Sequence, residues 1–249
     1  LNNRQLGSAS LFWFIPLPEL DQMRPSHFLF FSLASGNPIP RLAARANEPR
    51  VTIQNGTVVA KTLLGVENFK GIPFAQPPIG DLRLRAPQSL SSDFGTLDSQ
   101  LLPAACPQFW SRLEGGSLPE DVAGIVTNSV LFKKITLQSE DCLTLNIQRP
   151  AGTMASAKLP VVVWVFGGAF SIGASHLYDG TRIVRQSVDL EQPVIFVAIN
   201  YRLGGFGFLP GKEVSAAGVA NLGLRDQRLA LEWVQENIEY FGGDPDKVR

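Results

Sequence analysis

The sequence predicts an α/β fold with a mostly parallel central sheet and a small N-terminal β-hairpin region. Three stretches carry that expectation. Leu159–Phe166 is an unbroken apolar run with three consecutive valines, too short for a membrane span and too β-branched for a helix. It reads as a fully buried parallel strand. Val194–Ile199 reads as a second strand of the same kind. Leu224–Phe241 reads as a helix whose apolar face carries Leu224, Leu231, Val234, Ile238 and Phe241. Gly242-Gly243 stops that helix, Asp244-Pro245 prevents its resumption, and Lys247-Val248-Arg249 begins another strand.

The remaining elements follow in chain order. Residues 1–50 are proline-rich, lack steady periodicity and read as a leader, with the domain proper over 51–249. Within the leader, Met23-Arg24 followed by the apolar Phe28–Ala34 matches a secretory signal. Twenty-two residues precede Met23 and residue 1 is Leu, so either Met23 is the true start or the match is chance. Val51–Ile53, Gln54-Asn55-Gly56 and Thr57–Ala60 form a hairpin with an Asn-Gly turn. Asn55-Gly56-Thr57 is also a glycosylation sequon. Phe69–Pro78 is an extended, proline-fixed segment, and Glu140–Ile147 ends in strand-like alternation. Between them Val122, Ile125, Val126 and Val130 fall at near-helical spacing.

Composition narrows the function. The 249 residues, 45% hydrophobic, can furnish the core of one large domain or two small ones. Acidic and basic residues balance at 22 each, which argues against a nucleic-acid partner and gives no reason for a polybasic membrane patch. Two histidines and two cysteines cannot build a typical zinc site, and no cofactor motif is present; Gly167–Gly173 and Gly204–Gly207 do not complete a dinucleotide fingerprint. If Cys106 and Cys142 are bridged, the closed loop adds about 4 kcal/mol by chain entropy and implies an oxidising compartment; two buried free thiols are the alternative.

The chemistry concentrates at Gly167-Gly168-Ala169, where the first strand stops. Small residues there let backbone N–H groups face a ligand closely. A buried strand feeding such a loop suits an oxyanion hole, in which each preorganised donor is worth about 3–4 kcal/mol; a plain tight turn is the alternative.

Glu140–Asn146, Phe166–Phe170, Asn200-Tyr201-Arg202, Asn221–Gln227 and Phe241–Pro245, with Phe69–Pro78 and Leu82-Arg83, together resemble the type-B carboxylesterase/lipase family of the α/β-hydrolase fold, closest in texture to its secreted fungal lipases. The resemblance covers about Val51–Arg249 and implies the N-terminal portion of that fold, incomplete here. It implies backbone oxyanion donors at Gly168 and Ala169, a disulfide between Cys106 and Cys142, and buried structural ion pairs Arg83–Glu140 and Arg202–Asp226. It implies a lid over roughly Pro107–Gln138 that touches a lipid–water interface, carboxylic ester or acylglycerol substrates, no cofactor, and a secreted protein. One departure is Gln148, where the family usually has an apolar residue.

The family's nucleophile is a serine in a Gly-x-Ser-x-Gly elbow, and no such motif occurs in the 249 residues. Ala169–Gly173 comes nearest, but its first position is wrong and Ser171 lies in the oxyanion loop, so it receives no nucleophile role. The acid and base are absent too; His27 and His176 do not match the family base. The expectation is therefore a serine ester hydrolase by family, with this chain a truncated part that is inactive alone. A non-catalytic adhesion relative of the same fold is the competing expectation.

Overall fold

The structure, a computed structural model, describes residues 48–109 and 137–249. The expected leader with its signal at Met23–Ala34, His27, the helix over Val122–Val130 and nearly all of the expected lid lie outside the described residues.

A small sheet comes first. Strands β1 (Arg50–Ile53) and β2 (Gly56–Val59) form an antiparallel hairpin, and β5 (Thr96–Asp98) adds in parallel to β2. Ile53 pairs with Gly56, so the two turn residues are Gln54 and Asn55, one position earlier than the Asn-Gly turn expected. Gly56 is needed for another reason: its φ is 140°, and a Cβ there would lie 2.5 Å from the Gly95 carbonyl oxygen and against the Phe94 ring.

The main sheet has six strands: β3 (Lys61–Leu63), β4 (Val66–Pro73), β6 (Thr144–Pro150), β7 (Leu159–Val165), β8 (Ile195–Ile199) and β9 (Gly243–Val248), in the order β3-β4-β6-β8-β7-β9. The parallel pairing expected from the sequence is confined to β8-β7-β9, whereas β3-β4-β6-β8 pairs antiparallel, so the sheet is mixed. Connections explain the division. A two-residue turn joins β3 to β4 and allows only an antiparallel pair. Helix α1 (Thr181–Asp189) lies in the crossover between β7 and β8. Helices α2 (Gly204–Phe208), α3 (Lys212–Ala216) and α4 (Leu222–Asn237) lie in the one between β8 and β9.

Strand alternation divides the core between the two faces of the sheet. Ile195, Val197 and Ile199 of β8 join the cluster that contains Ala230, Trp233 and Val234 of α4, while Phe196 and Ala198 join Val184 of α1. All of β8 is buried, but β7 is not: Trp164 is 42% and Val165 39% exposed. Val163 and Val165 instead line an open apolar trough with Leu231 and Val248. The face of α4 differs from the expected one for the same reason. Leu222, Asp226, Ala230, Trp233, Val234 and Asn237 are buried, whereas Leu224 and Leu231 are exposed. The helix is apolar over a wider arc than the described residues cover.

Among the described residues, buried charges sit in two pairs. Arg202 grips Asp226 with Nε at 2.8 Å and Nη2 at 2.7 Å, both side chains almost wholly buried. Arg149 Nε donates to Glu67 at 2.7 Å, also buried; its Nη1 donates to the Phe241 carbonyl and its guanidinium lies over the Phe69 ring. Arg83 and Glu140 are paired at 2.5 Å, but half of the Arg83 side chain is exposed, which corrects the expectation of a buried pair. Arg83 follows a short 3-10 turn, Gly80–Leu82, that buries no residue, so its side chain stays in solvent.

Gln148 is buried where the family usually has an apolar side chain, and it is fully used. Its Oε1 accepts from the Gly180 N–H at 2.6 Å, and its Nε2 lies 2.6–2.9 Å from oxygens of Asn68, Asp179 and Thr181. Burial pushes the Asp179 carboxyl up, but hydrogen bonds from Thr181 and Gln148 and the Lys70 charge outweigh it, leaving the group below its ordinary range.

Candidate active site

The C-terminal end of β7 runs into Gly167–Gly173, and the residues that hold this loop come from three other places. The tripeptide after β8 supplies the first support. Asn200 Oδ1 accepts from the Ser175 N–H at 2.8 Å, and Asn200 Nδ2 donates to the Ala104 carbonyl. Tyr201 donates its hydroxyl to the Phe166 carbonyl at 2.6 Å and stacks on the Phe166 ring, centroids 4.4 Å apart. Burial pushes the Tyr201 phenol up, so it stays protonated and keeps donating. Arg202 also receives the Asp226 carboxylate on its own N–H and donates to the Arg85 carbonyl, tying α4 and the Arg83–Arg85 segment to the strand end. Burial pushes the Asp226 carboxyl up, against the pull of Arg202.

The loop itself is a tight turn. The Gly168 carbonyl accepts from both Ser171 and Ile172 N–H, at 3.0 and 3.1 Å. Gly168 has φ 131°, and a Cβ there would lie 1.9 Å from the Ile172 carbonyl oxygen, so only glycine fits. Ala169 and Phe170 follow at φ 52° and 58°. Two successive non-glycine residues in this region carry strain of about 1–3 kcal/mol each, which persists only where surroundings impose it. The surroundings are α2, whose Gly204 N–H donates to the Phe170 carbonyl at 2.7 Å while Phe208 packs on Phe170, and the segment after Cys106.

That segment is joined to Cys142 by the disulfide Cys106–Cys142. Phe109 N–H donates to the Ser171 carbonyl at 2.8 Å. Gln108 bonds both faces of the Gly173 peptide, accepting from its N–H at 2.6 Å and donating to its carbonyl at 2.9 Å. The carbonyls of Gly168, Phe170, Ser171 and Gly173 each have a donor. The N–H groups of Gly168 and Ala169 are different: both residues are exposed, and neither N–H, like that of the adjoining Phe170, has an acceptor among the described residues.

Of the other expected positions, Ser171 lies within this loop, while His176 and Asn55 lie outside it. Ser171 Oγ donates to the Ala169 carbonyl. His176 sits in the short 3-10 turn Ser175–Leu177. Asn55 lies at the tip of the β1–β2 hairpin, its Nδ2 a long 3.5 Å from the Ser92 carbonyl. Gln108, Phe109 and Tyr201 are the supports that sequence reasoning did not assign. Tyr201 lies within the Asn200-Tyr201-Arg202 stretch that carries the resemblance; nothing local marks Gln108.

The profile of the carboxylesterase family matches residues 47–249. The chain belongs to that family. Within the carboxylesterases it is 49% identical over 207 residues to secreted lipase 1 of Botryotinia fuckeliana, covering 82% of this chain and 36% of that protein. It is 50% identical over 210 residues to a secreted triacylglycerol lipase of Gibberella zeae, covering 84% and 36%. Among solved carboxylesterase structures, Aspergillus niger EstA superposes with a TM-score of 0.66 at 33% identity, covering 81% of this chain and 35% of that one. A thermophilic pNB esterase does so at 0.64 and 41% identity, covering 80% and 37%. The chain thus spans little more than a third of the length of these relatives, and its fold is the N-terminal part of an α/β-hydrolase.

Proposed function

We propose that this chain contributes the oxyanion-binding part of a serine carboxylic-ester hydrolase, with Gly168 and Ala169 as the donors. The observation that carries the reading is that two adjacent exposed residues have N–H groups without acceptors among the described residues, in a strained turn at the C-terminal end of a parallel strand. In a family enzyme a serine attacks the ester carbonyl, an acyl-enzyme forms, and water hydrolyses it. The carbonyl oxygen becomes negative as the tetrahedral intermediate forms. Two donors already in place stabilise that charge without reorganisation. Substrates are carboxylic esters or acylglycerols, and residues of roughly Pro107–Gln138 cover the acyl site as a lid.

The 249 residues alone lack nucleophile, acid and base, and losing such a nucleophile costs about a millionfold in turnover. The purified 249-residue chain is expected to show no saturable, organophosphate-sensitive hydrolysis of a p-nitrophenyl ester. Continued by the corresponding remainder of the Botryotinia lipase, it is expected to hydrolyse that ester. Gly168→Ala in this hybrid, which forces the turn open, is then expected to lower kcat about 100- to 1000-fold with KM little changed. An active hybrid indifferent to Gly168→Ala overturns the assignment.

The disulfide, the signal-like Met23–Ala34 and the relatives named as secreted support an extracellular protein. Asn55, half-buried at a hairpin tip with only one long side-chain contact, is then open to N-glycosylation. Protein secreted from a glycosylating host is expected to lose mass on amidase deglycosylation, and Asn55→Gln to abolish the shift.

A further inference from the structure

We infer that Gln108 is a positioning residue that couples the disulfide bridge to the oxyanion loop, so that the Gly168 and Ala169 donors depend on Cys106–Cys142 for their placement; the functional half of this statement rests on the reading given above. The coupling is a short series of direct contacts. Gln108 stands two residues from Cys106, and its Nε2 donates back to the Cys106 carbonyl at 2.7 Å. Its backbone N–H donates to Gln138 Oε1 at 2.9 Å, across the base of the disulfide-closed loop. That base is further closed by hydrogen bonds from Ala105 N–H to the Leu137 carbonyl and from Ser139 N–H to the Ala105 carbonyl, both 2.9 Å. Gln108 is therefore held beside the bridge, its backbone bonded to Gln138 and its primary amide shared between the Cys106 carbonyl and Gly173.

That amide meets Gly173 as one peptide unit meets another in a sheet, accepting from the N–H and donating to the carbonyl. Gly173 in turn lies against the start of the oxyanion loop. A Cβ on Gly173 would come within 2.4 Å of the Phe166 ring and 3.0 Å of the Gly167 carbonyl oxygen, so the backbone of Gly173 is packed on the residues that lead into Gly168. Phe109 adds a second strap through the Ser171 carbonyl. The opposite side of the loop is held by Gly204 and Tyr201, which reach it from β8 and α2 and do not involve the bridge. With one side free, the turn can relax from its positive-φ conformation; with both sides held it cannot.

Amide hydrogen exchange on the protein itself tests this without reference to catalysis. Gln108→Ala is expected to speed exchange in the 167–173 segment about tenfold at the hydrogen-bonded Ser171 and Ile172 amides, as loss of the two hydrogen bonds to Gly173 allows. Exchange in β8 is expected to stay unchanged. Gln108→Glu keeps an acceptor for the Gly173 N–H and is expected to restore part of the protection. Replacing both cysteines by serine is expected to loosen the same segment, and adding Gln108→Ala to that variant to loosen it no further. Unchanged exchange at 167–173 in Gln108→Ala overturns the inference, as do additive effects of the bridge and Gln108. In the active hybrid, Gln108→Ala is expected to lower kcat rather than raise KM. Loosened exchange with an unaltered kcat overturns the functional half, whereas an inactive parent hybrid counts against the hydrolase reading and leaves the exchange test intact.

Discussion

Arg202–Asp226 and Arg83–Glu140 are the same chemistry in two different solvents. Both are arginine–carboxylate pairs, and both carry residues of motifs that resemble one family. Arg202 and Asp226 lie between β8 and α4 with almost no exposure, and three nitrogens of Arg202 contact one carboxylate. Arg83 stands half in water with a single bond to Glu140. A buried pair draws its importance from what happens when one member is removed, because the survivor is left charged in a medium that cannot solvate it. An exposed survivor is simply rehydrated.

The comparison yields an ordered set of outcomes. Asp226→Ala is expected to cost about 3–5 kcal/mol in urea denaturation with an unchanged m value; a loss below about 1 kcal/mol would show that water reaches Arg202. Glu67→Ala strands Arg149 in the same way but leaves its bond to the Phe241 carbonyl and its contact with Phe69, so about 2–3 kcal/mol is expected by the same measurement. Tyr201→Phe removes one neutral hydrogen bond to the Phe166 carbonyl while keeping the ring stack, and about 1 kcal/mol is expected. Asp179 tests the pH side. Its folded-state carboxyl sits below its ordinary value, so its contribution is present above that value and is lost as pH falls through the folded one. Asp179→Asn should therefore narrow its gap from the parent protein as pH drops below about 4 in denaturation series. Arg83→Ala should fall within experimental error at moderate salt; a measurable loss there would place the pair in a drier setting than its exposure indicates.

These contrasts also mark what a linear reading can reach. The runs that became β7 and β8, the helix ending at Gly242-Gly243, and the junction at Gly167 were legible because each is a local pattern: an apolar run, a period, a break. The pairing of Cys106 with Cys142 and of Arg202 with Asp226 was legible only through resemblance. Burial was not. Nothing in the neighbourhood of Arg83 distinguishes it from Arg149, yet tertiary contacts expose one and enclose the other. The same holds for Leu224 and Leu231, apolar by pattern and exposed by position, and for Gln108, whose importance arises from Gly173, 65 positions away. The hairpin turn at Gln54-Asn55 was displaced by one residue because Gly56 is required by its contact with Gly95 and Phe94, not by the turn.

Asn200, Tyr201 and Arg202 have a consequence for how the strands are indexed. Adjacent residues of an extended chain address opposite sides, so these three reach the loop at Ser175, the end of β7 and helix α4 only in one alignment of β8 with its neighbours. A slip of a single position would send the guanidinium toward the Phe166 ring in one direction or the phenol toward the buried Asp226 carboxylate in the other. The tripeptide therefore works as a key cut for one lock position, because only that alignment gives all three side chains their partners.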